Sequence, residues 1–391
     1  MLDELGALGL APGWTYSEPT EWEALFASLP AVPVVPVALD ATYRDRVHGA
    51  WAGRIAGNML GKPVEDGDFW TVAKLRRYLE LAGAYPLTDY VPVLDAPPEE
   101  FAFVSRWTET VRGQVDGSSR DDDVDYTVLA LHLLEVHGRA LTPEDVGDAW
   151  LERLPFRQTY TAERAAYRNL VRGLPVPETA TWRNPYREWI GAQIRADAFG
   201  YVLPGDPLGA ARLAYADASL SHVANGVYGE MWAAALVSLA FGASSVRSLV
   251  EDSLAVVPPQ SRLAEAVRDV LALSSRGLSW DAAMEEIESR YGHYHWVHTI
   301  NNAAVLTAGL LWGEGDFTRT IALTVQGGLD TDSNGATAGS VAGILNGLSG
   351  IPPHWVEPLH DRVRSALFGF DNVRISDLAD RTIRVAESFR G

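Results

Sequence analysis

The chain has 391 residues, 47% hydrophobic and 21% charged, enough apolar content for one large core or two modest ones. Its formal net charge of −19 argues against broad nucleic-acid binding, which needs clustered Lys and Arg to displace phosphate counterions. With no cysteine, disulfides, thiolate metal sites and cysteine nucleophiles are excluded.

Residues 1–14 carry Asp3 and Glu4 where a secretory leader is positively charged, and Gly6, Gly9, Pro12 and Gly13 interrupt the apolar residues. No later run approaches the roughly 20 apolar residues of a membrane span. A soluble cytoplasmic protein is the expectation. Residues 1–40 read as an N-terminal extension, with a short amphipathic piece at 22–29 and a Pro-rich spacer at 30–36. The main domain is expected over 41–391. Apolar residues at three- and four-residue spacing predict helices over 41–61, 121–137, 143–153, 161–172, 207–218, 221–243, 259–274, 279–290, 299–313, 316–326 and 332–347. Few segments alternate with the period of a strand, so the fold class is all-α. Residues 85–120, with Pro97 and Pro98, read as an insertion or long loop.

Two of these helices carry glycine at every fourth residue: Gly49, Gly53, Gly57 and Gly61 in one, Gly335, Gly339, Gly343 and Gly347 in the other. Glycine inside a helix costs up to about 1 kcal/mol relative to alanine. A ridge of them implies a close helix–helix contact, either as plain core packing or beneath a tightly built site, since both ridges adjoin carboxylates.

The carboxylates stand at helix starts. Ser119-Arg-Asp-Asp-Asp-Val-Asp-Tyr-Thr127 opens directly into an apolar helical run. One Asp suffices to cap a helix and complement its dipole. Three adjacent carboxylates repel one another, and read equally as a solvated acidic cap or as ligands whose charge a cation neutralises. Gln326-Gly-Gly-Leu-Asp-Thr-Asp-Ser-Asn-Gly335 is the second cluster. Its Asp-x-Asp-x-Asn-Gly order imitates a calcium loop, but the twelfth position, which must supply a bidentate Glu, is Val341. What remains is two oxygen-rich helix N-termini suited to hard cations such as Mg²⁺ or Mn²⁺.

Gly49-Ala-Trp-Ala-Gly-Arg-Ile-Ala-Gly-Asn-Met-Leu-Gly-Lys-Pro-Val-Glu65, then Asp121-Asp-Asp-Val-Asp-Tyr-Thr, then Gly327-Gly-Leu-Asp-Thr-Asp-Ser occur in the order found in the ADP-ribosylglycohydrolases, and the chain resembles that family over most of 44–347. The resemblance implies a compact orthogonal multi-helix domain with a binuclear site for two divalent ions, Mg²⁺ or Mn²⁺. It implies Asp121, Asp122, Asp123, Asp330, Asp332 and Ser333 as metal ligands, and Glu65, Asp330 and Asp332 as catalytic residues. Gly191 and Arg195 in Gly191-Ala-Gln-Ile-Arg195, His222 in Ser221-His-Val-Ala-Asn225, and Gly327 and Gly328 are the substrate-binding residues it suggests. A lone helical His is otherwise a core or cap residue. Three departures from the family pattern mark a divergent subgroup: Asp121 replaces a hydroxyl ligand, Leu329 is inserted after the glycines, and Asn334-Gly335 follow the third motif.

The activity so implied is metal-dependent hydrolysis of the glycosidic bond at ribose C1 of an ADP-ribosylated substrate or ADP-ribose conjugate. Three alternatives stand beside it. A smaller riboside or nucleoside is one substrate; a metal-free glycosidase with two carboxylates is a second route, which leaves the extra aspartates without a role; and the family also resembles a lens crystallin used structurally. The partner expected is a ribosyl small molecule or modified protein, with no membrane and no broad nucleic-acid binding.

Overall fold

The two glycine ridges face each other across the centre of the molecule. In the computed structural model, which describes residues 2–390 other than Ala7, Pro33 and Arg106, six helices frame the site: α1 (Ala41–Gly61), α2 (Asp122–His137), α3 (Asn225–Ala240), α4 (Thr299–Gly313), α5 (Phe317–Gln326) and α6 (Thr331–Asn346). Among the described residues there are nineteen α-helices and no β-strand, only two isolated bridges, so the all-helical expectation holds.

α1 and α6 run antiparallel at a separation that only glycine allows. A methyl group on Gly49, Gly53 or Gly57 would run into the carbonyl of Gly343, Gly339 or Gly335 respectively, and one on Gly61 into the carbonyl of Thr331. The repeated four-residue step fixes the register, so the last turn of α1 always meets the first turn of α6. Thr331 Oγ1 closes that end by donating to the Gly61 carbonyl at 2.8 Å. Gly347, the last member of the second ridge, is not helical: it caps α6 at φ 67°.

Helices then pack round this pair. Trp51, fully buried on α1, donates from its indole to Thr382 on the terminal helix Ile375–Ser388 at 2.9 Å. α3, α4 and α6 are buried along nearly their whole length, consistent with their Ala, Gly, Leu and Val content. The sequence reading places a helix over 221–243, whereas α3 begins at Asn225. Ala224 takes a positive φ of 44° with ψ −122°, outside helical space, which ends the turn carrying Ser221 and His222 before the helix starts. Seven of the described helices lie outside those expected: Leu2–Gly6, Val72–Leu81, Glu178–Thr181, Asp197–Val202, Val246–Ser253, Pro353–Val356 and Ile375–Ser388.

The N-terminal segment lies along the body. The Glu18 carboxylate takes the Arg262 guanidinium at 2.8 and 2.9 Å, and the Pro19 and Thr20 carbonyls accept the hydroxyls of Tyr228 and Tyr215. Between 85 and 120 the described residues form one short turn of helix, Trp107–Thr110. No described helix is long and apolar enough to cross a membrane.

Candidate active site

Three chain segments converge where α1 ends. Lys62–Val64 forms a tight turn that carries Glu65; α2 starts at Asp122 with Asp121 as its cap; and α6 starts at Thr331 with Asp330 preceding it. The glycine register therefore sets Glu65 opposite Asp330 and Asp332, and Asp121–Asp123 comes in from α2.

The carboxylates form two oxygen triads sharing one member. One oxygen each from Glu65, Asp330 and Asp332 lie within 4.8 Å of one another, and so do one each from Asp121, Asp123 and Asp332. Of the ligands implied by resemblance, Asp122 stands outside both triads, its side chain 25% exposed and 4.0 Å from Arg120. Ser333 spends its hydroxyl on Asp330 Oδ1 at 2.6 Å, and its backbone N–H on Asp332 Oδ1 at 3.0 Å. Asp121 Oδ1 accepts from the Asp123 N–H and from Asn58 Nδ2, both at 3.1 Å, while Lys62 Nζ donates to its other oxygen. Asp123 Oδ1, in contrast, is buried with no protein hydrogen-bond partner. A buried carboxylate oxygen aimed at other carboxylates is costly unless a cation or proton lies between them. The donor set is oxygen alone, which suits a hard divalent ion.

Electrostatics point the same way. Burial pushes Asp123 up to about 7, with Asp332 adding to the shift and Arg54 and Ser333 opposing it. Asp122 is pushed to about 6 by burial and Asp123. Burial together with Asp332 holds Asp330 and Glu65 well above the usual carboxylate range, Asp123 adding to the first and Asp330 to the second. Alone, Asp123, Asp330 and Glu65 hold protons toward neutral pH; a divalent ion would replace those protons.

The substrate-side residues fall into two places. Arg195 is buried, its guanidinium bonded to Asp217, to Glu163 at 3.0 Å and to Ser221 Oγ at 3.2 Å, over the rings of Tyr126 and Trp150. Gly191 belongs to the same group: its carbonyl accepts from Arg195 at 3.4 Å, and a methyl there would strike Glu163. His222 joins them through Ser221 at 2.8 Å, and burial with Arg195 drives it far below its ordinary range, so it is neutral. Gly327 and Gly328 form the turn before Asp330; Gly328 needs its φ of 70°. Gly327, Leu329 and Trp296 line a cavity of about 150 Å³ behind this turn. Gly191, Arg195 and His222 are thus one cluster, and Gly327 and Gly328 another.

Several supporting residues carry no local signal of their role in the sequence. Asn302 Oδ1 accepts from the Asp330 N–H at 3.1 Å and from Asn334 at 2.7 Å, and its Nδ2 donates to the carbonyls of Trp296 and His298. It fixes the acidic turn to α4, and it accounts for Asn334 after the third motif. Arg54, buried in α1, bonds Asp197 at 2.6 Å and the Asp123 carbonyl at 2.7 Å, anchoring the start of α2. Asn58 and Lys62 lie inside the quoted first motif, but only the fold shows that they meet Asp121.

The sequence profile described as ADP-ribosylglycohydrolase matches residues 39–389. Among solved structures, one titled "ADP-ribosylglycohydrolase-related protein complex" is similar at a TM-score of 0.52 with 17% identity, covering 88% of this chain and 98% of the other, a likeness of fold. No curated protein sequence matches the chain. With the profile spanning nearly the whole chain and its carboxylate motifs gathered at one place, the protein belongs to the ADP-ribosylglycohydrolase family.

Proposed function

We propose that the protein is a metal-dependent hydrolase that cleaves the glycosidic bond at ribose C1 of an ADP-ribosylated substrate or ADP-ribose conjugate, working in the cytoplasm. The observation that carries this reading is the pair of oxygen triads joined at Asp332. Glu65, Asp330 and Asp332 would hold one divalent ion, and Asp121, Asp123 and Asp332 a second. When bound, such cations polarise the vicinal ribose hydroxyls and acidify water.

In the reaction the bond from C1 to the aglycone breaks, a water oxygen bonds to C1, and the proton lost by that water ends on the aglycone. Glu65 is the half-buried member of the two triads, on a turn rather than within a helix. It is therefore the group that meets an entering substrate, and it carries the proton between water and leaving atom. Asp330 is held still by Ser333 and Asn302 and orients the attacking side. A released-product assay tests the proposal: with Mg²⁺ or Mn²⁺, ADP-ribosylated peptides and small ADP-ribose conjugates are expected to yield free ADP-ribose. Release unaffected by chelator, or absent from every ribosyl substrate, would defeat it.

A specific observation favours a second substrate, a smaller riboside or nucleoside. Arg54, Arg120 and Arg195 are each bonded to buried carboxylates, Asp197, Asp125 and Asp217, rather than facing a place for a pyrophosphate. Nucleosides and ribose 5-phosphate conjugates run beside ADP-ribose conjugates decide between the two by their kcat/KM.

A further inference from the structure

Lys62 stands inside the acidic site. Its side chain is 11% exposed, and its Nζ donates to Asp121 Oδ2 and, at 3.1 Å, to the Arg120 carbonyl. Asp121 is consequently hydrogen-bonded through both oxygens, Asn58 and the Asp123 N–H taking the other one. Neither Glu65, Asp330 nor Asp332 is in salt-bridge contact with a cationic side chain among the described residues. The two triads thus differ in kind. Asp121–Asp123–Asp332 already carries a positive charge on one of its ligands, although Asp123 Oδ1 remains without a partner; Glu65–Asp330–Asp332 carries none in contact.

Resting on the metal reading proposed above, we infer that Lys62 is a built-in counter-cation that makes the two positions unequal, so that a divalent ion enters Glu65–Asp330–Asp332 first and tightly, and Asp121–Asp123–Asp332 second and weakly. An ion arriving at the second position must share Asp121 with the ammonium or displace it, and two like charges a few ångströms apart repel strongly at a partly buried site. Lysine suits this place better than arginine. Its charge is a point on a flexible stem, able to swing toward Asp121 when no ion is there and away when one arrives, whereas a guanidinium fork would hold the carboxylate in a fixed bidentate grip.

The test is calorimetric titration of Mn²⁺ into the chelator-treated full chain, with electron paramagnetic resonance to distinguish isolated from spin-coupled ions. The wild type is expected to bind in two steps separated by roughly tenfold or more in affinity, coupled ions appearing only in the second step. Lys62→Met keeps the stem and removes the charge, so it is expected to tighten the second step by roughly tenfold and to change the first step less. One ion in the wild type and two in Lys62→Met would be the strongest form of the same result. Two equal steps in the wild type overturn the inference whether or not the variant folds, and so does a folded variant whose second step is unchanged or weaker. No binding at all by the wild type overturns instead the metal reading on which the inference rests.

Discussion

The protein buries two groups of carboxylates side by side, and they have opposite fates. Around Arg195, the carboxylates of Glu163, Asp217 and Glu230 share one guanidinium, with Ser221 bonding to it and two aromatic faces enclosing it. Burial pushes Glu163 up to about 7, and burial with Asp217 holds Glu230 well above the ordinary range, so protons and one Arg balance the group without any further ion. Around Asp332, six carboxylates, Glu65, Asp121, Asp122, Asp123, Asp330 and Asp332, gather about the Lys62 ammonium, with the Arg120 guanidinium 4.0 Å from Asp122 at the edge. The first group supplies its own counter-charge and serves as an internal strut. The second has too little of it for six carboxylates, and a deficit of positive charge beside a half-buried Glu65 is what a cation site looks like before its ion is considered.

Substitutions should separate the two. Asp332→Asn removes the ligand shared by both triads and is expected to lower turnover by roughly a thousandfold or more, about 4 kcal/mol of transition-state stabilisation, while far-ultraviolet circular dichroism stays unchanged. Asp122→Asn, outside both triads, is expected to lose only about tenfold. Equal losses in the two would mean that the triads do not define the site. Arg195→Met should do the reverse: breaking a buried ion pair by removing one partner costs about 3–5 kcal/mol, seen as a lower denaturation midpoint, and the folded fraction should still bind Mn²⁺ with wild-type affinity. If Arg195→Met abolished metal binding in folded protein, the two groups would have to be treated as one.

How much of this the sequence carried depends on whether the signal was local. The glycine ridges and the two acidic helix starts are written in consecutive residues, and α1 and α6 follow from them with their ends at or within a residue of those expected. The terminal helix Ile375–Ser388 carries an equally local signal in Ile375, Leu378, Ala379, Thr382, Ile383 and Ala386 at helical spacing, yet lies outside the helices the sequence reading places. Asn302 was not legible: nothing around it marks one asparagine as the clamp on Asp330, because its partners lie near 296, 298, 330 and 334. Arg195 shows the converse problem. Its motif suggests contact with substrate, but which charges surround a guanidinium depends on Asp217 and Glu163, from other helices. The family profile spans the chain without revealing that difference.

The two groups are set against each other in a single measurement by the melting temperature across pH. In metal-free protein, Asp122 and Asp123 titrate near 6 and 7 in the fold, and Glu65 and Asp330 lie well above their ordinary range. In the unfolded chain such groups titrate near 4. Between about pH 4 and 7 the folded state therefore binds more protons than the unfolded state, and stability must fall as pH rises through that window. Glu163 and Glu230 add to the same fall. On the proposed metal reading a divalent ion would replace protons only on the Asp332 side, and would bind more tightly as those carboxylates deprotonate. The melting temperature with chelator should thus drop from pH 5 to 8 by more than it does with saturating Mg²⁺, and the gap between the two curves should widen with pH. At a hundredfold excess over the dissociation constant the ion contributes about 2.7 kcal/mol. Asp123→Asn should flatten the chelated curve and narrow the gap, whereas Glu163→Gln should flatten both curves and leave the gap alone. A gap of constant width from pH 5 to 8 would show that metal and protons do not compete for the same carboxylates, and the distinction drawn between the two buried groups would fail with it.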